Sequence, residues 1–209
     1  MNEFPKPNVV VSKCLGFAKC RYDGDIVLDA VVDKLKPFIS YITVCPEVEI
    51  GLGIPRDPIR IISDKGKLYL YQPATNKDLT RAMTKLTKIF LSSLTNIDGF
   101  ILKSRSPSCG INRVKVYKSY SHDAKPSSGV GFFATAVINK FPDLAITDES
   151  RLKNLAQRKN FYTKLFTIAR FRMLRRDIKE NEYLLNQTFL NPFPQELIEI
   201  TDSGKGRNR

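Results

Sequence analysis

Two short runs rich in β-branched residues, NVVVSKC at 8–14 and ISYITVC at 39–45, each end at a cysteine. Between them DIVLDAVVDKLKPF repeats apolar residues at helical spacing (Ile26, Val27, Ala30, Val31, Leu35) and stops near Pro37. Strand, helix and strand in this order form a βαβ unit, which implies a parallel sheet. The carboxyl ends of parallel strands lie along one edge, where ligands bind, so both cysteines are predicted on that edge.

The pattern continues. PIRIIS and KLYLYQP read as a hairpin turned at Asp64-Lys65-Gly66, and Asn76-Lys77-Asp78 caps a helix over DLTRAMTKLTKIFLSSL. GFILKSR is a further strand that delivers SPSCG, and VKVYKSY an edge strand or a loop. GVGFFATAVINKF reads as a helix whose glycine-rich start suits an anion or close packing. The expected fold class is α/β: a mostly parallel sheet with flanking helices, Rossmann-like, followed by a short basic α-helical C-terminal extension. The expected units are 1–147 and 148–209, the second ending in the polar tail SGKGRNR.

No stretch approaches the roughly 20 apolar residues that span a bilayer, and MNEFPKPNVVVSK lacks the order of a secretory signal, so a cytoplasmic protein is expected. In that compartment thiols stay reduced, and Cys14, Cys20, Cys45 and Cys109 are free thiols, metal ligands or catalytic groups rather than a disulfide framework. Their scatter excludes a zinc ribbon or finger. Cys14, Cys45 and Cys109 all follow strands. Three thiols on one edge suit an iron–sulfur cluster, which accepts ligands from separate loops, and would leave one iron open. Taken singly, a cysteine at a strand end is more often a small buried hydrophobe than a ligand, and three at equivalent ends shift the balance.

Glu47, two residues beyond Cys45, places a carboxylate beside anything bound there. Ser106 and Ser108 bring hydroxyls, Gly110 permits close approach, and Arg21, Arg56, Lys103 and Arg105 flank the same segments. His122, the only histidine, falls in the polar YSHDAKPSS, which argues against a Ser/His/Asp triad or a Cys/His protease. The net charge of +13 is concentrated: ten basic residues against Asp177 alone between Arg151 and Lys179 supply +9 of it. Such clustering marks a polyanion partner or a solvated helix face. Leu155, Tyr162, Phe166, Ala169 and Met173 follow helical spacing and are expected to pack on the sheet, with the basic residues outward.

VSKCLGFAKCRYDG, VCPEVEIGLGIPR and FILKSRSPSCG, in this order, resemble the signature segments of the thiouracil desulfidase family over about residues 8 to 145. The resemblance implies a [4Fe-4S] cluster held by Cys14, Cys45 and Cys109, with the fourth iron free to take the sulfur of a thiolated uracil. It implies Glu47 as the catalytic carboxylate and a hydroxyl from Ser106 or Ser108. Arg21, Tyr22 and Asp23, with Arg56 and Lys103, would line the substrate, and Cys20 would be a spare thiol, a sulfur acceptor or a fourth ligand. RLKNLAQRKNFYTKLFTIARFRMLRRD is similar to the opening of an accessory helical domain implicated in tRNA binding, which makes Arg158, Lys159, Arg172, Arg175 and Arg176 candidate RNA contacts. The implied activity is desulfidation of 2- or 4-thiouracil without redox chemistry, giving hydrogen sulfide and uracil or uridine, and the basic extension favours 4-thiouridine, as nucleoside or in tRNA, as the substrate. Two other classes remain open: an RNA-binding module with a structural metal, and a persulfide-forming sulfur carrier.

Overall fold

A computed structural model describes residues 5–118 and 126–174. His122, Arg175 and Arg176 lie outside the described residues. The first sheet is entirely parallel, in the order β2 (Ser40–Val44), β1 (Asn8–Ser12), β6 (Gly99–Leu102), β9 (Ala145–Asp148). The inner strands β1 and β6 are buried on both faces, which is why they read as continuous apolar runs, whereas edge strand β2 leaves Ser40, Tyr41 and Ile42 exposed. Val10, Phe100 and Leu102 face one core, filled by α3 (Thr80–Ser93) and α4 (Phe132–Lys140). Val9, Val11 and Ile101 face the other, filled by α1 (Ala30–Leu35) and α6 (Leu155–Leu174). Because β2 and β6 lie on opposite sides of β1, the topology switches at β1. A crevice opens there at the carboxyl ends.

A second sheet, unforeseen as a separate layer, has the order β5 (Lys77–Asp78), β4 (Lys67–Gln72), β3 (Arg60–Asp64), β7 (Val114–Tyr117), β8 (Ser127–Gly129). The expected β3–β4 hairpin closes over Lys65 and Gly66, both at positive φ, as a two-residue turn requires. β7 is not an edge strand: it pairs in parallel with β3 and antiparallel with β8. Val114 and Val116 point into the core, whereas Lys115 is exposed.

Other boundaries shift for local reasons. The helix expected over 25–38 is confined to Ala30–Leu35 and a 3-10 turn at Lys36–Phe38, because buried Asp29 caps it: its Oδ1 accepts the N–H groups of Val31 and Val32 at 3.0 and 3.2 Å. The glycine-rich start of α4 permits close packing: a Cβ on Gly131 would stand 2.4 Å from the Ser108 carbonyl oxygen. β9 carries no sequence signal of a strand, since AITD has no apolar run and its last residue, Asp148, caps α5 (Glu149–Leu152).

In α6, Phe161, Tyr162, Leu165, Phe166 and Ala169 are buried against the sheet, while Leu155 and Met173 are only half-buried. Gly99 permits this approach, since a Cβ there would meet Leu165 Cδ1 at 2.8 Å. The expected division between 147 and 148 falls at the last residue of β9, and α6 beyond it covers the same sheet. Not all of its basic residues face outward: Arg158 and Arg170 are buried. No helix among the described residues is long and apolar enough to cross a membrane.

Candidate active site

All four strands of the parallel sheet end on one cavity of about 930 Å³. Ser12 and Cys14 come from the end of β1, Cys45 and Glu47 from the end of β2, Ser104, Ser106 and Cys109 from the loop after β6, and Glu149 from the end of β9. Cys20 reaches the same wall from the loop after β1, and Arg56 and Arg113 approach from segments flanking the second sheet.

The four cysteines are buried free thiols. Cys20 lies between two of the predicted ligands. Its thiol is pushed up to about 11, chiefly by hydrogen bonding with Cys14, against an opposing contribution from Cys45. Cys45 is raised strongly, first by its hydrogen bond with Cys20 and then by burial. Its Sγ donates to the Cys20 carbonyl at 3.6 Å. Burial pushes Cys109 up as well, partly opposed by the Ser12 and Ser106 hydroxyls beside it. Such thiols keep their protons until a cation displaces them. Among the described residues no three His, Cys, Asp or Glu side chains are arranged to hold a single metal ion.

Glu47 stands in α2 (Pro46–Glu49), a single turn begun by Pro46 directly after Cys45. Proline fits there because a first-turn N–H has no helical partner. Arg56 grips Oε2 through Nε at 3.0 Å and Nη2 at 2.8 Å. The same guanidinium donates from Nη1 to the Cys20 carbonyl at 3.0 Å and places Nη2 4.0 Å from Cys45 Sγ. Oε1 accepts the Ser108 hydroxyl at 3.0 Å and the Ser106 hydroxyl at 3.4 Å. One carboxylate oxygen is thus clamped by a cation, and the other faces the serine loop.

The two serines differ. Ser106 is half-buried at the cavity wall, and its Oγ accepts the N–H groups of Ser108 and Cys109 at 3.1 and 3.0 Å. Ser108 is fully buried and reaches Glu47 from behind. The loop is tight: Gly110 donates to the Ser106 carbonyl at 2.8 Å, and a Cβ on it would meet Val114 Cγ2 at 2.4 Å.

Of the remaining expected residues, Arg21, Tyr22, Arg56 and Lys103 line the cavity, and Asp23 does not. Asp23 instead holds Arg21, with Nε to Oδ1 at 3.0 Å and Nη2 to Oδ2 at 2.7 Å. The candidate RNA contacts are dispersed. Arg158 is buried and donates to the Leu152 carbonyl at 3.1 Å, and Arg172 is locked to Asp98 through Nε at 2.9 Å and Nη2 at 2.8 Å. Both hold α6 in place, which corrects the outward orientation expected of them. Lys159 is exposed. Ser12, Ser104 and Glu149 were absent from the expected site; the sequence signal for Glu149 is its place just after a capping aspartate at a strand end.

Residues 9–149 match the family described as 2-thiouracil desulfurase. A curated relative, the uncharacterized protein YbbK of Bacillus subtilis (strain 168), is 28% identical over 156 residues, covering 70% of this chain and 99% of the relative. The chain also superposes on the solved [4Fe-4S]-dependent thiouracil desulfidase TudS with a TM-score of 0.57 and 25% identity, covering 74% of this chain and 99% of that one. The match to the family begins in β1 and ends at Glu149, so it takes in every strand that feeds the cavity: the chain belongs to the 2-thiouracil desulfurase family.

Proposed function

We propose that this protein is a [4Fe-4S]-dependent desulfidase that removes sulfur from a thiolated uracil, with 4-thiouridine, as nucleoside or within tRNA, as its substrate. The observation that carries the reading is the convergence of four buried thiols and an arginine-clamped carboxylate on the carboxyl edge of one parallel sheet. Soft donors from separate strand ends, with a guanidinium beside Cys45, fit an iron–sulfur cluster. Cys14, Cys45 and Cys109 would hold it. When bound, the cluster supplies a Lewis-acidic iron with a vacant position for the thiocarbonyl sulfur.

The chain's own residues supply the rest. Glu47 takes a proton from the attacking water at Oε1, the oxygen left outside the Arg56 clamp, and returns it to the departing group. Ser108, buried behind it, fixes the carboxylate's orientation. Ser106, on the cavity wall, positions water or the pyrimidine edge. The buried sheet edge excludes bulk water from one side, which strengthens each of these contacts.

A cavity of about 930 Å³ exceeds what a free base needs, and Lys13, Arg105, Arg113, Lys115 and Lys153 line it. That basic lining supports a substrate carrying phosphate, as a nucleotide or RNA strand does. A base within RNA would have to leave its stack, at a cost of a few kcal/mol that phosphate contacts would offset.

The test is anaerobic reconstitution with iron and sulfide, then incubation with 2-thiouracil, 4-thiouridine and thiolated tRNA. The expected result is stoichiometric hydrogen sulfide and uracil or uridine from at least one of them. A fully loaded protein that releases sulfide from none contradicts the activity, and turnover by iron-free protein points instead to the persulfide carrier.

A further inference from the structure

The chemistry proposed above leaves Glu149 without a task. It is 5% exposed, stands first in α5, and follows the end of β9, where Asp148 lies beside Leu102 of β6. From there its carboxylate crosses to the segment leaving β6. Oε2 accepts the Ser104 N–H at 2.8 Å, Oε1 accepts the Ser104 hydroxyl at 2.6 Å, and Lys103 Nζ is ion-paired with Oε1. Lys103 Nζ also donates to the carbonyl and hydroxyl oxygens of Ser104 at 3.1 and 3.2 Å. An ammonium has three N–H donors, and those of Lys103 are directed at three protein oxygens. Its backbone N–H meets Ser12 Oγ at 2.9 Å, at the end of β1.

Residues 103 and 104 are therefore tied to β1 and β9 at once. Directly beyond them the chain turns at Arg105, with φ 59°, into the loop that carries Ser106, Ser108 and Cys109. A buried carboxylate is costly unless fully bonded, and here burial pushes the Glu149 carboxyl up while Lys103 and Ser104 together bring it below its ordinary value. The network is closed and leaves Lys103 no donor for a substrate.

We propose that Glu149 is a positioning residue: through Lys103 and Ser104 it anchors the start of the cysteine-bearing loop, so that Lys103 serves the loop and not the substrate. In its iron readout this rests on the desulfidase reading. Without the anchor, the loop still reaches the cavity but no longer holds Cys109 and the two serines in register with Glu47.

The test compares the full-length, cluster-loaded chain with Glu149→Gln, Lys103→Met, the double variant and Ser104→Ala. Three quantities are read: iron release to a chelator, kcat and KM for 4-thiouridine, and hydrogen exchange over residues 103–110 in iron-free protein. Glu149→Gln is expected to release iron about tenfold faster, the low end of what loss of an outer-shell partner costs. Lys103→Met should add less than about twofold in that background, because the two residues act as a unit. KM should stay unchanged, exchange should rise in 103–110, and Lys103→Arg should restore retention. Wild-type iron release and exchange in Glu149→Gln would overturn the proposal. So would a raised KM with normal iron retention in Lys103→Met, the result expected of a substrate contact. If Glu149→Gln fails to fold, Ser104→Ala must show the same pattern to a lesser degree, and its wild-type behaviour is equally contrary. A wild-type chain that desulfurates nothing contradicts the desulfidase reading alone, since the exchange comparison needs neither iron nor substrate.

Discussion

Glu47 is gripped from two sides, by Arg56 on Oε2 and by Ser106 and Ser108 on Oε1, and the role proposed for it depends on that grip. Glu47→Gln keeps the shape but removes the proposed base. It is expected to lower kcat by about 10²–10⁴ with iron content unchanged, as measured by sulfide release and iron assay. Ser108→Ala should cost more in kcat than in KM, because the hydroxyl of Ser108 is bonded to the Glu47 carboxylate and Ser108 does not line the cavity. Serine in place of Cys14, Cys45 or Cys109 should abolish cluster retention, whereas Cys20→Ser should leave four irons per chain. The motifs placed Cys45 and Glu47 after β2 and Cys109 in the loop after β6, where the structure has them. They could not distinguish Ser106 from Ser108, because which hydroxyl meets the cavity depends on how Gly110 and Gly131 pack the loop.

Glu149 also carries a pH dependence. Its folded pKa lies below the ordinary carboxylate value, so its stabilisation is complete above that range and is lost as pH falls through the depressed folded value. Melting temperatures across pH should show wild type above Glu149→Gln near neutrality, with the gap closing in acid. A gap that widens in acid would contradict this.

Among the elements, long helical patterns and short apolar runs such as those of β1 and β6 were legible, and strands without such a run were not. α3 runs 14 residues with Met83, Thr87 and Leu91 buried, and its sequence announces it. β9 has four residues, and the second sheet joins strands far apart in the chain, β3 with β7, so no local pattern reveals the pairing. α1 is shorter than its periodicity because Asp29 captures the first N–H groups and holds 25–29 out of the helix. The packing of α4 on the loop is equally testable. A Cβ at Gly131 would strike the backbone of Ser108 at 2.4 Å, so Gly131→Ala should destabilise by about 1–3 kcal/mol, read by denaturant unfolding, and speed iron loss.

For the whole molecule, charge was the least informative guide. The basic concentration after Arg151 suggested a helix packed on the sheet with its basic face turned outward to RNA, yet within α6 Arg158 and Arg170 are buried, and Arg172 ties Asp98 to the helix. α6 covers Val9, Val11 and Ile101, each fully buried. A chain ending at Leu152 should therefore lose cooperative folding or precipitate, as circular dichroism and sedimentation would report. The most direct measurement is the Mössbauer spectrum of protein reconstituted with ⁵⁷Fe. Three cysteine ligands predict one iron distinct from the other three, with that iron's signal alone changing when 4-thiouridine is added. Four equivalent irons that ignore the substrate, or a protein that takes up zinc and no iron, would contradict the account.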